Sequence, residues 1–371
     1  MDGVWITELP AEAPAGRRLA VKDLFDTAGV RTTYGSAVFA DHVPEASAPA
    51  VTLLEEAGWV DVGKTNLHEF AYGTTSQNLH YGTVPNPVAP GRSAGGSSGG
   101  SAAALALGLA DGALGTDTGG SIRIPSAWCG TAGFKPTFGL VPIGGVFPLA
   151  PSFDHAGPMA VDVAGCVSLM ADLVPSLEVR ELESLEEVTV AVAWTEQSEP
   201  GVRARVEAAA ALFPRRRPIE LPFAEAIGPA FMREVGDVHR ELYDEQAELY
   251  GENIRAKVER CIGLGDGEAA EAQRERERYR ELVPELLGDA DLLVTPTMAM
   301  TAPPADTDEP VRRGDYTRFT FPFNALGWPA LALPCGLDES GRPVSVQVVG
   351  RAGDDALVLG AGLALERALA A

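Results

Sequence analysis

A chain of 371 residues can hold one large domain or two small ones, and its 46% apolar content is enough for a sizeable core. With 29 basic against 52 acidic side chains the net charge is −23, which opposes direct binding to nucleic acid or an anionic membrane and leaves a small molecule or another protein as partner. No apolar stretch approaches the roughly 18 residues of a spanning helix, "MDGVWITELP" is not a secretory signal, and Cys129, Cys166, Cys261 and Cys335 form no CxxC pair, so reduced thiols in the cytoplasm are expected.

In chain order, residues 49–62 predict a helix and then a strand. Pro49 suits a first helical turn, Ala50, Val51, Leu54 and Ala57 share one face, and Gly58 stops the helix before "WVDV". The glycine-rich stretch from Gly91 to Pro125 is not a flexible linker, because Ala102 to Ala110 reads as a helix and Ala113 to Asp117 as a short buried strand between two glycine turns. Val188–Trp194, Asp291–Pro296, Ala330–Pro334 and Pro343–Gly350 read as strands, and Ala224 to Leu287 as a charged helical region with a solvated face. Apolar strands alternating with helices predict one α/β domain over residues 1–371 with a central mixed, mostly parallel sheet covered on both faces by helices. The five histidines show neither HExxH nor finger spacing, so no dedicated metal site and no cofactor are expected.

The glycine-rich stretch lacks a Walker sequence and a GxGxxG. Gly96 to Gly100 matches GxSxG formally, with Ser98 as nucleophile, but the preceding "VPNPVAPGRSA" is too rich in proline for the central strand that motif requires. The second turn, "GTDTGGSIRIP", suits nucleophilic chemistry better. Successive N–H groups of Thr118, Gly119, Gly120 and Ser121 can curl round one oxygen as an oxyanion hole, because glycine permits the positive φ such a nest needs. Ser121 would still need a base.

The run from Gly95 to Leu140, "GGSSGGSAAALALGLADGALGTDTGGSIRIPSAWCGTAGFKPTFGL", resembles the signature segment of the amidase signature family. The blocks "LAVKDLFDTAGVRTTYGS", "VGKTNLHEFAYGTTSQN", "FDHAGPMA", "LLVTPTMAMTAPP" and "NALGWPALALPCG…GRPVSVQVVG" extend the likeness from about residue 19 to the end of the chain. The resemblance implies a serine amidase with a Ser-Ser-Lys triad: Ser121 as nucleophile, Ser97, after a cis peptide bond, as proton relay, and Lys22 as base. A lysine of ordinary pKa, about 10.4, is protonated near neutrality, so Lys22 would have to be desolvated to act. Lys64 is expected to be structural or pocket-lining, and Lys135 to serve packing and local ion pairing. Asp117 and Arg123 are expected to brace the turn as an ion pair, and Ser98 and Ser101 to cap the helix after them.

Lys22 lies close to the start of the chain, where the family commonly has several helical turns first, so a compact, stand-alone core is expected. Ile122, Ile124, Tyr72, Trp128, Phe147 and Phe323 are candidate walls of an apolar or aromatic acyl pocket. The leading expectation is hydrolysis of a small carboxylic amide, with release of ammonia or an amine. The partners expected are that amide, with no nucleic acid and no membrane, and with room for a homodimer. Two other classes compete: the glutaminase subunit of a tRNA-dependent amidotransferase, which works beside a tRNA-binding partner, and an inert scaffold on the same fold.

Overall fold

The computed structural model describes residues 2–9, 16–180, 182–307 and 314–371. Eleven strands among these residues form one sheet: β1 (Trp5–Glu8), β2 (Arg17–Lys22), β3 (Trp59–Thr65), β6 (Gly112–Thr116), β7 (Ala132–Lys135), β8 (Ala156–Ala160), β9 (Val190–Val192), β10 (Arg216–Pro218), β11 (Leu292–Pro296), β12 (Ala330–Leu337) and β13 (Pro343–Val349). A separate hairpin joins β4 (Gln77–Asn78) to β5 (Gly82–Thr83). The strand order is β1-β3-β2-β6-β8-β7-β12-β13-β11-β9-β10.

The sheet is mixed, as expected, and its two hands of pairing are segregated. Parallel pairs join β3, β2 and β6 on one flank and β11, β9 and β10 on the other, while the strands from β6 through β8, β7, β12 and β13 to β11 pair antiparallel. Because β3, β2 and β6 run parallel, their C-terminal ends, at Thr65, Lys22 and Thr116, emerge at one edge.

Successive strand residues point to opposite faces, which explains why helices cover both. Leu19 and Val21 enter a core with α1 (Pro49–Glu56), α4 (Val163–Leu173), α5 (Pro200–Ala211) and the C-terminal helix Asp355–Ala370, whereas Ala20 between them enters a core with α2 (Gly99–Ala106). At β11, Leu292 and Val294 take the first face. Leu293 takes the other, beneath α6 (Gly228–Gln246), α7 (Glu252–Ile262) and α8 (Asp266–Leu287). Helix α1 ends where the sequence predicts, with Gly58 at φ +88° turning the chain into β3. Helix α2 starts earlier and ends sooner than the alanine run suggests, at Gly99 and Ala106.

Candidate active site

Lys22 is the last residue of β2 and is fully buried. Its Nζ donates to Ser97 Oγ at 2.8 Å and to Thr116 Oγ1 at 2.6 Å. Ser97 is also fully buried, lies in the loop before α2, and follows a cis peptide bond from Gly96. Ser121 lies in the turn between β6 and α3 (Arg123–Cys129) and, at 7%, is the member of the three that reaches the surface. The two serine loops are joined by the backbone, Ser98 N–H donating to Ser121 O at 3.2 Å. Among the described residues the Ser121 hydroxyl makes no hydrogen bond, to Ser97 or to any other group.

The turn carrying Ser121 is held from below by one carboxylate. Asp117 Oδ1 accepts the Gly120 N–H at 2.8 Å and Oδ2 accepts the Ile122 N–H at 3.2 Å, so the N–H groups of both residues flanking Ser121 are clamped. Gly120 has φ +129°, and a Cβ there would lie 2.3 Å from Thr320 Oγ1, so the position requires glycine. Arg123 donates to both Asp117 oxygens, at 2.8 and 2.9 Å, and continues to Asn324 Oδ1 and Gln347 Oε1, each at 2.7 Å. Burial alone would raise the Asp117 pKa, but the Arg123 charge and hydrogen bonds, with Lys135 and Asn324, outweigh it and hold this carboxyl well below the usual range. The brace between Asp117 and Arg123 is as the sequence predicts. Of the four N–H groups in the nest, Gly120's is taken by Asp117, while those of Thr118, Gly119 and Ser121 make no hydrogen bond among the described residues.

Three lysines are fully buried, and their partners separate them. Lys64 donates to Thr27, Thr32 and the Phe25 carbonyl and lies 3.9 Å from Asp23. Lys135 donates to the Pro136 and Trp328 carbonyls, at 3.1 and 2.5 Å, oxygens that can only accept. Lys22 is bonded to two hydroxyls, either of which can turn and donate to a neutral amine. Burial lowers the Lys22 pKa to about 7, against the opposing charges of Asp117 and Asp154.

Ser98 and Ser101 do not cap α2. Ser98 Oγ accepts the Thr116 N–H and donates to the Thr116 carbonyl, and Ser101 Oγ donates to the Leu114 carbonyl, because α2 lies against β6 closely enough for its small side chains to bond across. Sequence reasoning misses Thr116, Asn324, Gln347 and Asp154, which accepts from Thr118 Oγ1 at 2.6 Å. Thr116 stands one residue from the predicted turn. The others are polar residues whose pairing depends on the tertiary fold.

A cavity of ≈ 250 Å³ opens against this turn at Gly119. Its walls come from α6, the segment before it, residues 314–318 and the helix Phe321–Leu326. The predicted walls Ile122, Ile124, Tyr72, Trp128, Phe147 and Phe323 do not line it; all but Phe147 are buried in packing between elements, where apolar residues beside a sheet usually end.

Comparison with known proteins places these features in a family. The family model described as Amidase matches residues 15–211 and 228–359. A glutamyl-tRNA(Gln) amidotransferase subunit of Haloarcula marismortui is 32% identical over 415 aligned positions, covering 95% of each protein. A crystal structure of an amidase superposes with a TM-score of 0.86 at 36% identity, over 95% of this chain and 84% of that one. The crystal structure of the same amidotransferase component from Thermotoga maritima gives 0.83 at 30% identity, over 98% and 87%. The inference from net charge that nucleic acid has no part in the function is corrected by these relatives, two of which are named for work on a tRNA. A charge summed over the whole chain does not describe any one surface, and one component of a complex can serve tRNA chemistry through its assembly. With its family model covering most of the chain and these relatives matching nearly all of it, the chain belongs to the amidase family, the hydrolases that carry the amidase signature.

Proposed function

We propose that this protein cleaves the C–N bond of a carboxylic amide through an acyl-enzyme on Ser121, with Ser97 as proton relay and neutral Lys22 as base. The observation that carries this reading is the contact between Lys22 Nζ and the Ser97 hydroxyl in a fully buried setting, where burial brings the lysine pKa to about 7. A lysine so placed is neutral in a substantial fraction near pH 7 and can accept a proton. Ser97 passes its proton to Lys22 and takes that of Ser121, whose oxygen attacks the amide carbonyl. The oxygen that becomes negative is met by the N–H groups of Thr118, Gly119 and Ser121, with Gly120 shaping the turn. The returning proton goes to the nitrogen as the C–N bond breaks, and water activated through the same pair cleaves the ester.

Two settings for this chemistry compete, and the relatives favour an amidotransferase component over the free hydrolase. On that reading the chain is the amide-cleaving component of a glutamyl-tRNA(Gln) amidotransferase, liberating ammonia from an amide donor for use on the tRNA. Its four buried cysteines agree with a reducing, cytoplasmic compartment. The test puts this chain in place of the homologous component of a relative's amidotransferase and follows amidation of glutamyl-tRNA(Gln). Amidation lost on Ser121→Ala supports the amidotransferase reading. Ammonia released from simple amides without tRNA amidation supports the free hydrolase.

A further inference from the structure

We infer that His155 is a positioning residue for the oxyanion nest, fixing the peptide that presents the Thr118 N–H to the developing negative oxygen. This rests on Ser121 being the nucleophile and adds to that reading a side chain from outside the nucleophile turn. Strands β6 and β8 pair antiparallel, with Gly115 opposite Gly157 and Thr116 opposite Ala156. The same register carried one step past the strand ends sets Asp117 opposite His155. The two exchange both backbone hydrogen bonds, Asp117 N–H to His155 O at 2.8 Å and His155 N–H to Asp117 O at 3.2 Å.

The Asp117 carbonyl and the Thr118 N–H belong to one planar peptide, so whatever holds the oxygen also aims the N–H. Three donors converge on that oxygen: the His155 N–H, the His155 ring through Nδ1 at 3.2 Å, and Asn324 Nδ2 at 2.8 Å. Nδ1 also faces the Phe153 carbonyl at 2.7 Å. Both carbonyls can only accept, so Nδ1 carries the proton. The ring is buried, and burial together with the Lys135 charge holds its pKa well below the ordinary histidine value, so it stays neutral with that proton in place. Nε2 makes no hydrogen bond among the described residues, and Phe138 packs edge-on to the ring with centroids 5.5 Å apart, so Nδ1 is the nitrogen that ties the ring down. The residue before it grips the side chain of Thr118: Asp154 accepts from Thr118 Oγ1 at 2.6 Å and from the Leu149 N–H at 2.9 Å. One short segment thus holds Thr118 by its side chain and by its peptide. A donor fixed in this way before reaction stabilises the oxyanion without having to reorganise.

The experiment compares the wild type with His155→Leu, His155→Ala and His155→Asn. Leucine keeps the bulk and loses the donor, alanine cannot clash, and asparagine returns an N–H at the place of Nδ1. Each is assayed for kcat and KM on glutamine and butyramide, and for inhibition by propylboronic acid, a mimic of the tetrahedral intermediate. Ser121 Oγ bonds to boron while its proton passes through Ser97 to Lys22; no bond at boron breaks, and the negative tetrahedral boronate offers an oxygen to the nest. The Leu and Ala variants should lose about tenfold to a hundredfold in kcat with KM within about twofold, and bind the boronate about tenfold more weakly, while Asn stays within about threefold of wild type throughout. Wild-type kcat in a folded Leu or Ala variant, a loss confined to KM, or no recovery in Asn overturns the positioning role and leaves the Ser121 reading standing. A wild type that neither turns over an amide nor takes the boronate sinks the Ser121 reading, and the positioning role with it.

Discussion

Lys22 Nζ and Ser97 Oγ stand 2.8 Å apart, on residues 75 positions apart in the chain, and neither residue is reached by solvent. Strand β2 delivers the lysine and the loop before α2 delivers the serine to the shared edge of the parallel strands. The contact gives a buried amine a hydroxyl partner in place of a carboxylate, and several consequences can be measured.

Activity should rise with pH. The base works only when neutral, and burial lowers the Lys22 pKa to about 7, so kcat/KM should climb through an apparent pKa near that value and level off above it. Lys22→Met should lower kcat/KM by about a thousandfold and remove this limb. A profile flat from pH 6 to 9 in the wild type would contradict the assignment.

Ser121→Ala removes one hydroxyl from a turn held by Asp117, so the fold should survive and turnover should not. The thermal midpoint should move by less than about 2 °C, roughly the shift that about 1 kcal/mol gives in a chain of this size. Ammonia release should fall to the blank.

Asp117→Asn leaves the Arg123 guanidinium buried without its counter-charge and weakens the clamp on the N–H groups of both residues flanking Ser121. Stability should fall by about 3 kcal/mol in urea unfolding, and kcat should drop more than KM rises. Unchanged stability would mean that the ion pair does not hold the turn.

Gly120→Ala forces a Cβ into Thr320 and into a backbone region that glycine alone tolerates easily. The expected cost is about 2 kcal/mol, with loss of most activity. A variant with full kcat would argue that the turn has slack the structure lacks.

Lys64→Met tests Lys64 against Lys22 as the base. Lys64 faces Asp23, whose carboxyl burial pushes up to about 6, and removing it should destabilise the fold by about 3 kcal/mol. The protein that remains folded should keep the rise in kcat/KM near pH 7. Its disappearance would point to Lys64 as the base.

Much of this is legible in the sequence because it rests on local pattern. The Gly58 stop, the β6 strand and the second glycine turn each follow from residues within one or two positions of the feature. Arg123 lies six residues from Asp117, so their pairing can be read in the same way. Thr116 cannot be chosen as a partner of Lys22 without knowing that β2 and β6 run parallel with Val21 beside Leu114. Gln347 and Asn324 reach Arg123 from more than 200 positions away, a relation fixed only by the closed sheet. The pocket walls escape the sequence for a related reason: Trp128 and Phe323 look like walls among the aromatics, yet packing takes them inside and leaves Phe231 and Phe321 at the cavity. Helix caps at Ser98 and Ser101 fail because small side chains let α2 approach β6, and the hydroxyls bond to the strand.

The central claim is that the acyl group passes through Ser121. It is tested most directly by mixing the protein with an amide it turns over, quenching in acid within milliseconds to seconds, and mapping the added mass by peptide mass spectrometry. The account predicts the acyl mass on the peptide containing Ser121 in the wild type and none in Ser121→Ala. An acyl mass on Ser97, or turnover by Ser121→Ala at the wild-type rate, would contradict it.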